Sequence, residues 1–183
     1  MILKTIQERR SVFPAQYNQD QVSKEQIEQL LEAANWAPSH RKTEPWRFYV
    51  ITGDQLEKLG DFLADTYRET ADKYSEFKLQ KIKAKPLHAS HVIVICMERD
   101  LKERLPEWEE IAATAMAVQN MWLMATELKL GSYWSSPSLI EHMGNFLPMK
   151  ENEKCLGFFY VGNYDDETPK GERRPIEDKV TWL

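Results

Sequence analysis

A chain of 183 residues is long enough to bury most of its apolar surface in one core without disulfides or a structural metal. Lys and Arg number 24 against 29 Asp and Glu, and the net charge of −5 leaves no general footprint for nucleic acid, so the expected partner is a small molecule. Cys96 and Cys155 stand far apart with no CxxC or Cys/His cluster, which predicts neither a disulfide framework nor a zinc site.

In chain order, Ile2, Leu3 and Ile6 set a short helical pattern over residues 2–9 that runs into Arg9-Arg10-Ser11. Ser23 with Gln26 three residues later is a capping-box signature, and Ile27, Leu30, Leu31 and Ala34 then line one face of a second helix, which Pro38 ends. The segment from Ala37 to Ile51 joins that helix to a strand over Arg47 to Thr52 through a turn crowded with Ser39, His40, Arg41, Lys42 and Glu44. Such a turn can aim backbone N–H groups, a hydroxyl, an imidazole and a guanidinium at one small anionic or polar ligand while its flanking elements hold it rigid. Asp54 with Glu57 repeats the capping pattern and opens a third helix, with Leu56, Leu59 and Leu63 inward, reaching Tyr67. Residues 68–86 are dense in Lys, Glu and Asp; the acids are interleaved, so the region 65–86 reads as a solvated face or mobile flap rather than an anion patch.

His91 to Met97 is a continuous apolar run of the length of a strand buried on both faces, and Cys96 inside it reads as a small buried hydrophobe. The longest helix opens at Pro106, keeps its period through Ile111, Ala115, Val118, Trp122 and Ala125, and stops at Gly131. Alanines at 112, 113 and 117 leave it few polar positions, which places it centrally or in a subunit interface. A short aromatic strand over Ser132 to Ser136, a small helix from Ser138 and a strand from Leu156 to Gly162 follow. The tail is polar from Asn163 and turns apolar again at Val180, Trp182 and Leu183, an ending expected to dock on something, a neighbouring subunit being one choice. No apolar run approaches membrane-spanning length and Met1-Ile2-Leu3-Lys4 opens a polar stretch rather than a signal peptide, so a cytoplasmic protein is expected. The element order predicts one layered α+β or α/β domain over residues 1–183. Neither GxGxxG after a strand nor GxxxxGK[ST] is present.

Arg9, Arg10 and Arg173 could fork onto the oxygens of one phosphate with Ser11 adding a hydroxyl; taken singly, each reads as a surface ion-pair partner. His88 and His91 lack a third ligand, so no metal is expected.

Four motifs in order, R-R-S after the first helix, A-P-S-H ahead of E-P-W-R-F-Y-V-I, an alanine-rich helix closing in L-G-S-Y-W, and G-F-F-Y-V-G followed by R-R-P, span nearly the whole chain. Together they resemble the flavin-dependent nitroreductases, in particular their short NAD(P)H nitroreductase branch. The resemblance implies an α+β fold with a central mixed β-sheet flanked by helices, and an intertwined homodimer with FMN at each of two interface sites. It implies that Arg9, Arg10 and Ser11 approach the flavin phosphate and ribityl chain with Arg173 assisting, that Trp36, Pro38, Ser39 and His40 contact FMN, some of them from the other subunit, and that Tyr133, Trp134 and Ser135 line the other side of the ring. It further implies NADH or NADPH as reductant, a nitroaromatic, quinone or related organic acceptor served by alternating two-electron steps, and no catalytic amino-acid side chain, since the flavin carries the chemistry. Lys42 and Glu44 stand where many relatives carry Asn and Gln against the polar edge of the ring. The competing readings are a flavin-binding sensor or carrier without turnover, and a structural module in which the arginines only form ion pairs.

Overall fold

The computed structural model describes residues 2–165 and 171–183; Met1 of the opening segment and residues 166–170 of the polar tail lie outside the described residues. The helices are α1 (Ile2–Glu8), α2 (Lys24–Asn35), α3 (Asp54–Thr70), α4 (Glu76–Ala84) and α5 (Glu107–Glu127), and the strands are β1 (Trp46–Thr52), β2 (His91–Glu98), β3 (Gly131–Ser135) and β4 (Glu153–Gly162). The strands form one sheet in the order β1-β2-β4-β3.

β2 is the central element, and its alternation builds the layers. Val92, Val94 and Cys96 face α3 and α4, where Phe158 and Tyr160 of β4 join Leu59, Leu63 and Leu79. Ile93 and Ile95 face α2 and α5, where Phe159 and Val161 meet Leu30, Ala117, Val118 and Met121. A strand whose two faces both lie under helices has no polar side to show, which is why the run from His91 to Met97 is unbroken. The alanines of α5 have a second explanation: small side chains bring α2 and α5 close together over the sheet.

The expected mixed sheet is corrected in one respect. Every pairing among the described residues is antiparallel. β2 and β3 do run the same way, as the α5 crossover between them requires, but β4 inserts between them and pairs antiparallel with both.

Boundaries follow local chemistry. Ser23 accepts from the Gln26 amide and the Gln26 side chain returns to Ser23, the expected capping box. The cap of α3 is instead Gly53 with φ of 56°, so Asp54 belongs to the first turn, where its charge complements the helix dipole. That helix runs on to Thr70, and α4 follows, with Leu79 buried and Gly60 of α3 abutting the Lys83 carbonyl; a Cβ at Gly60 would collide with that backbone. The stop of α5 falls at Lys129, with φ of 57°, rather than at Gly131, which packs beneath the Tyr17 ring. Cys96 and Cys155, remote in sequence, are direct cross-strand partners.

Trp182 is 93% exposed on its own chain, and Ile2, Leu3 and Ile6 of α1 are exposed as well. Along α5, Trp108 and Met116 are also left open. No described helix is long and apolar enough to cross a membrane.

Candidate functional site

The chain leaves α1 with the Arg9 amide still bonded to the Thr5 carbonyl at 2.9 Å, then turns extended. Trp122 of α5 anchors this exit: its indole N–H donates to the Arg10 carbonyl at 3.1 Å, and its ring lies 4.5 Å beneath the Arg9 guanidinium. Burial holds the Arg9 guanidinium below its ordinary value, and the positive charges of Arg173 and Arg10 lower it further. Cations from opposite ends of the polypeptide therefore meet here, and Gly171 backs directly onto the Arg10 guanidinium.

From this cluster the backbone runs along the sheet edge. Ser11 is exposed, and the Val12 amide donates to the Ser132 carbonyl at 3.0 Å, laying the segment against β3. Phe13 and Tyr133 bring their ring centroids to 4.6 Å. One step further, the Lys85 ammonium donates to Ser135 Oγ at 3.0 Å and lies 4.8 Å from the ring centres of both Tyr133 and Tyr160. Burial lowers the Lys85 ammonium and raises the Tyr160 hydroxyl. Beside them opens a cavity of about 520 Å³ with Leu63, Tyr67, Leu139 and Phe158 in its apolar wall and Lys85 and Ser135 at its polar edge. A cluster of guanidiniums, a strip of aromatics and a half-buried ammonium at an apolar cavity form a surface suited to an elongated ligand with an anionic head and a flat, partly polar ring.

The turn after α2 is a different kind of surface. Arg41, Lys42 and Glu44 all have positive φ, at 53°, 55° and 43°, an uncommon cluster for residues with side chains. Ser39 Oγ accepts from the Glu44 amide at 3.3 Å, His40 Nδ1 lies 2.6 Å from Glu109 Oε2, and Arg47 donates to the Glu44 carbonyl at 2.8 Å and to Glu98 at 2.5 Å. Pro38 is exposed, and Trp36, also exposed, donates its indole N–H to Glu32 at 2.7 Å.

Of the residues singled out from sequence, Arg9, Arg10, Arg173, Tyr133 and Ser135 form one continuous strip with Ser11 along it. Trp36, Pro38, Ser39 and His40 do not join it within one chain. Glu109, which holds His40, and Trp122, which holds Arg10, are separated by about 20 Å along α5 at 1.5 Å per residue. Trp134 also departs from expectation. Strand alternation turns its side chain to the α5 face, opposite Tyr133 and Ser135, where its indole donates to the Leu156 carbonyl at 3.3 Å.

A model of the nitroreductase family matches residues 6–163. The chain belongs to the nitroreductase family. Similar to this nitroreductase-family chain is the Bacillus subtilis (strain 168) protein YfhC, provisionally named an NAD(P)H nitroreductase, at 30% identity over 97% of this chain and 92% of that protein. Among solved structures, a nitroreductase-like family protein from Bacillus cereus superposes with a TM-score of 0.83 at 27% identity, covering 100% of this chain and 96% of the other. A protein from Desulfovibrio desulfuricans, provisionally named a nitroreductase and solved in complex with FMN, gives 0.76 at 26% identity over 100% and 96%.

Two contributors to the strip of this family member were not picked out from sequence. Lys85 closes the lysine-rich run read as solvated; Lys83 does reach outward to Asp61 at 2.6 Å, whereas Lys85 turns inward. The one local signal was its place directly ahead of Pro86, which is buried. Trp122 was read only as keeping the helix period, and nothing in that period marks its indole as the clamp on Arg10.

Proposed function

We propose that two copies of this chain bind two molecules of FMN, and that the assembled protein oxidises NADH or NADPH and reduces a nitroaromatic, quinone or related organic acceptor in alternating two-electron steps at one slot. The observation that carries this reading is the convergence of Arg9, Arg10 and Arg173: burial and like charge both act against the protonated Arg9, a cost that a bound phosphate dianion would offset. The residues present fit the cofactor. The guanidiniums would take its phosphate, Ser11 and the Phe13–Tyr133 pair would flank its chain, and Lys85 and Ser135 would meet the polar edge of its ring beside the apolar cavity.

FMN, when bound, supplies the reversible two-electron chemistry; the chain binds, orients and excludes water. Lys85, held over two rings, would place positive charge against the ring's polar edge. Ser39, His40 and the positive-φ turn, braced on α5, would be supplied to each site by the other copy, since they lie too far from their own chain's arginines. Two features support pairing of copies: the apolar α1 and C-terminal residues left exposed on one chain, and the open apolar positions of α5. Residues 65–86 would serve as the cover of the cavity, with Tyr67, Lys78 and Ile82 in its wall. The free thiols of Cys96 and Cys155 suit a reducing compartment, the cytoplasm.

The test is one absorbance spectrum of the purified protein followed by stopped-flow mixing with NADH and with NADPH, then with an acceptor. A flavin spectrum that bleaches with a nicotinamide and returns with a quinone or nitroaromatic is expected. A coloured protein that no nicotinamide bleaches would make it a flavin carrier or sensor, and a colourless protein indifferent to added FMN would overturn the reading.

A further inference from the structure

We propose that Cys96 and Cys155 are a peroxide-reactive dithiol that closes into a cross-strand disulfide within one chain.

The pair is created by an irregularity in the sheet. On β2, Ile95 pairs with Gly157 and Cys96 pairs with Cys155, so Leu156 is an extra residue of β4 with no partner of its own. Without that bulge Cys96 would face Leu156, and strand alternation would send the two thiols to opposite sides of the sheet. With it, both sulfurs project to the α3 and α4 side, into the same cluster as Val94 and Phe158. Gly157, with φ of 146°, supplies the backbone conformation, and the Trp134 indole packs against it and bonds the Leu156 carbonyl, holding the bulge in place. Directly opposed residues of regular antiparallel strands have Cα atoms about 4.5–5.5 Å apart, within the about 4.4–6.8 Å that disulfides span. At this bulge the two sulfurs stay near enough to interact.

The two thiols are not equivalent. Cys96 is fully buried and Cys155 nearly so; the interaction of the two sulfurs pushes Cys96 up and draws Cys155 down, while the Cys155 thiol donates to the Gly157 carbonyl at 3.9 Å. Cys155 also has a route to solvent: it lies in the wall of an open groove of about 480 Å³ that includes Glu141, Lys150 and Lys154. Cys155, 7% exposed against 0% for Cys96 and bordering that groove, is the sulfur a small oxidant reaches first, and Cys96 the one held behind it.

The chemistry balances with a hydroperoxide as the oxidant. The Cys155 thiolate attacks one peroxide oxygen, the O–O bond breaks, and hydroxide leaves, giving Cys155 sulfenic acid. The Cys96 sulfur then attacks the Cys155 sulfur; its proton passes to the departing hydroxyl, and water leaves as the S–S bond forms. Two thiols lose two electrons in all, and one hydrogen peroxide is reduced to two waters.

The chain holds only these two cysteines, so any disulfide within it joins this pair. The full-length protein with FMN added is exposed to hydrogen peroxide, denatured and alkylated, and its intact mass is read. Loss of both alkylatable thiols, a mass lower by two hydrogens on a single chain, and recovery of both thiols with dithiothreitol are expected. After the same treatment Cys96→Ser should be trapped at Cys155 by dimedone, while Cys155→Ser should keep Cys96 alkylatable. The proposal is overturned if both wild-type thiols remain alkylatable, if the disulfide links two chains, or if Cys155 advances to sulfinic acid with Cys96 still a thiol. The wild-type measurement decides alone, so a variant that fails to fold does not shield the proposal.

Discussion

The arginine strip and the turn around His40 carry similar residue types and handle their charge in opposite ways. In the strip, Arg9 lies among like charges over a tryptophan, and Lys85 lies over two tyrosine rings. In and beside the turn, basic side chains meet acids: His40 with Glu109, Arg47 with Glu98, Arg99 with Glu110, and Arg104 with Asp100. A surface that crowds positive charge is prepared for an anion, and one that neutralises itself is prepared to hold a shape. The turn spends its contacts on bracing a backbone with three positive-φ side-chain-bearing residues, which is how rigid positioning of N–H groups is achieved outside regular structure. The strip and the turn are thus separated by most of the length of α5, and the proposed site, which needs both, would have to draw them from two copies.

The sharpest way to break this contrast is to remove charge from the strip. Arg9→Ala with Arg10→Ala should weaken FMN binding by about 3–6 kcal/mol, taking about 1.5–3 kcal/mol per charged hydrogen bond. Fluorescence titration measures it, and unchanged affinity would end the phosphate assignment. The same variant tests the two-copy site. Co-refolded with a Ser39→Ala, His40→Ala variant, it should recover about one quarter of the native FMN sites, because random pairing makes half of the dimers mixed and each of those carries one intact site. If strip and turn served a site in the same chain, mixing would restore nothing.

Lys85→Met keeps most of the side-chain volume and should cost about 1.5–3 kcal/mol of FMN affinity. Burial already holds this ammonium below its ordinary 10.5, so it is expected to lose its proton ahead of the arginines as pH rises. FMN affinity should therefore fall as the pH approaches 10.5 and converge on that of Lys85→Met, whose own affinity should stay level through that window. A wild-type profile as flat as the variant's would remove Lys85 from the site.

The smallest effect belongs to the turn. The His40–Glu109 pair is largely exposed on the histidine side, so His40→Ala should change folding stability by no more than about 1 kcal/mol. A larger loss in chemical denaturation would mean that the turn is a pillar of the fold rather than a positioned loop.

Much of the fold was legible because it rests on local rules. The capping box at Ser23, the two-sided burial of the run from His91 and the alanine-lined α5 each follow from side-chain chemistry within a few residues. The helix stop at Lys129 was not, since Gly131 offered the cheaper left-handed residue and was instead needed under Tyr17. That Arg9 and Arg173 serve one phosphate is an expectation from charge type and from the resemblance; in the fold the tail's return toward α1 sets Arg173 near enough for its charge to act on the Arg9 guanidinium.

What the sequence determined by itself was the kind of surface this protein carries: periodicity assigned helices and strands, and the motifs around the arginines and His40 marked the family. Where those surfaces lie was decided only in three dimensions. Alternation along β3 separates Trp134 from Tyr133 and Ser135, α5 holds the strip and the turn apart, and one extra residue in β4 sets Cys155 opposite Cys96. Register and helix length are properties of how distant segments pack, and no window of neighbouring residues contains them.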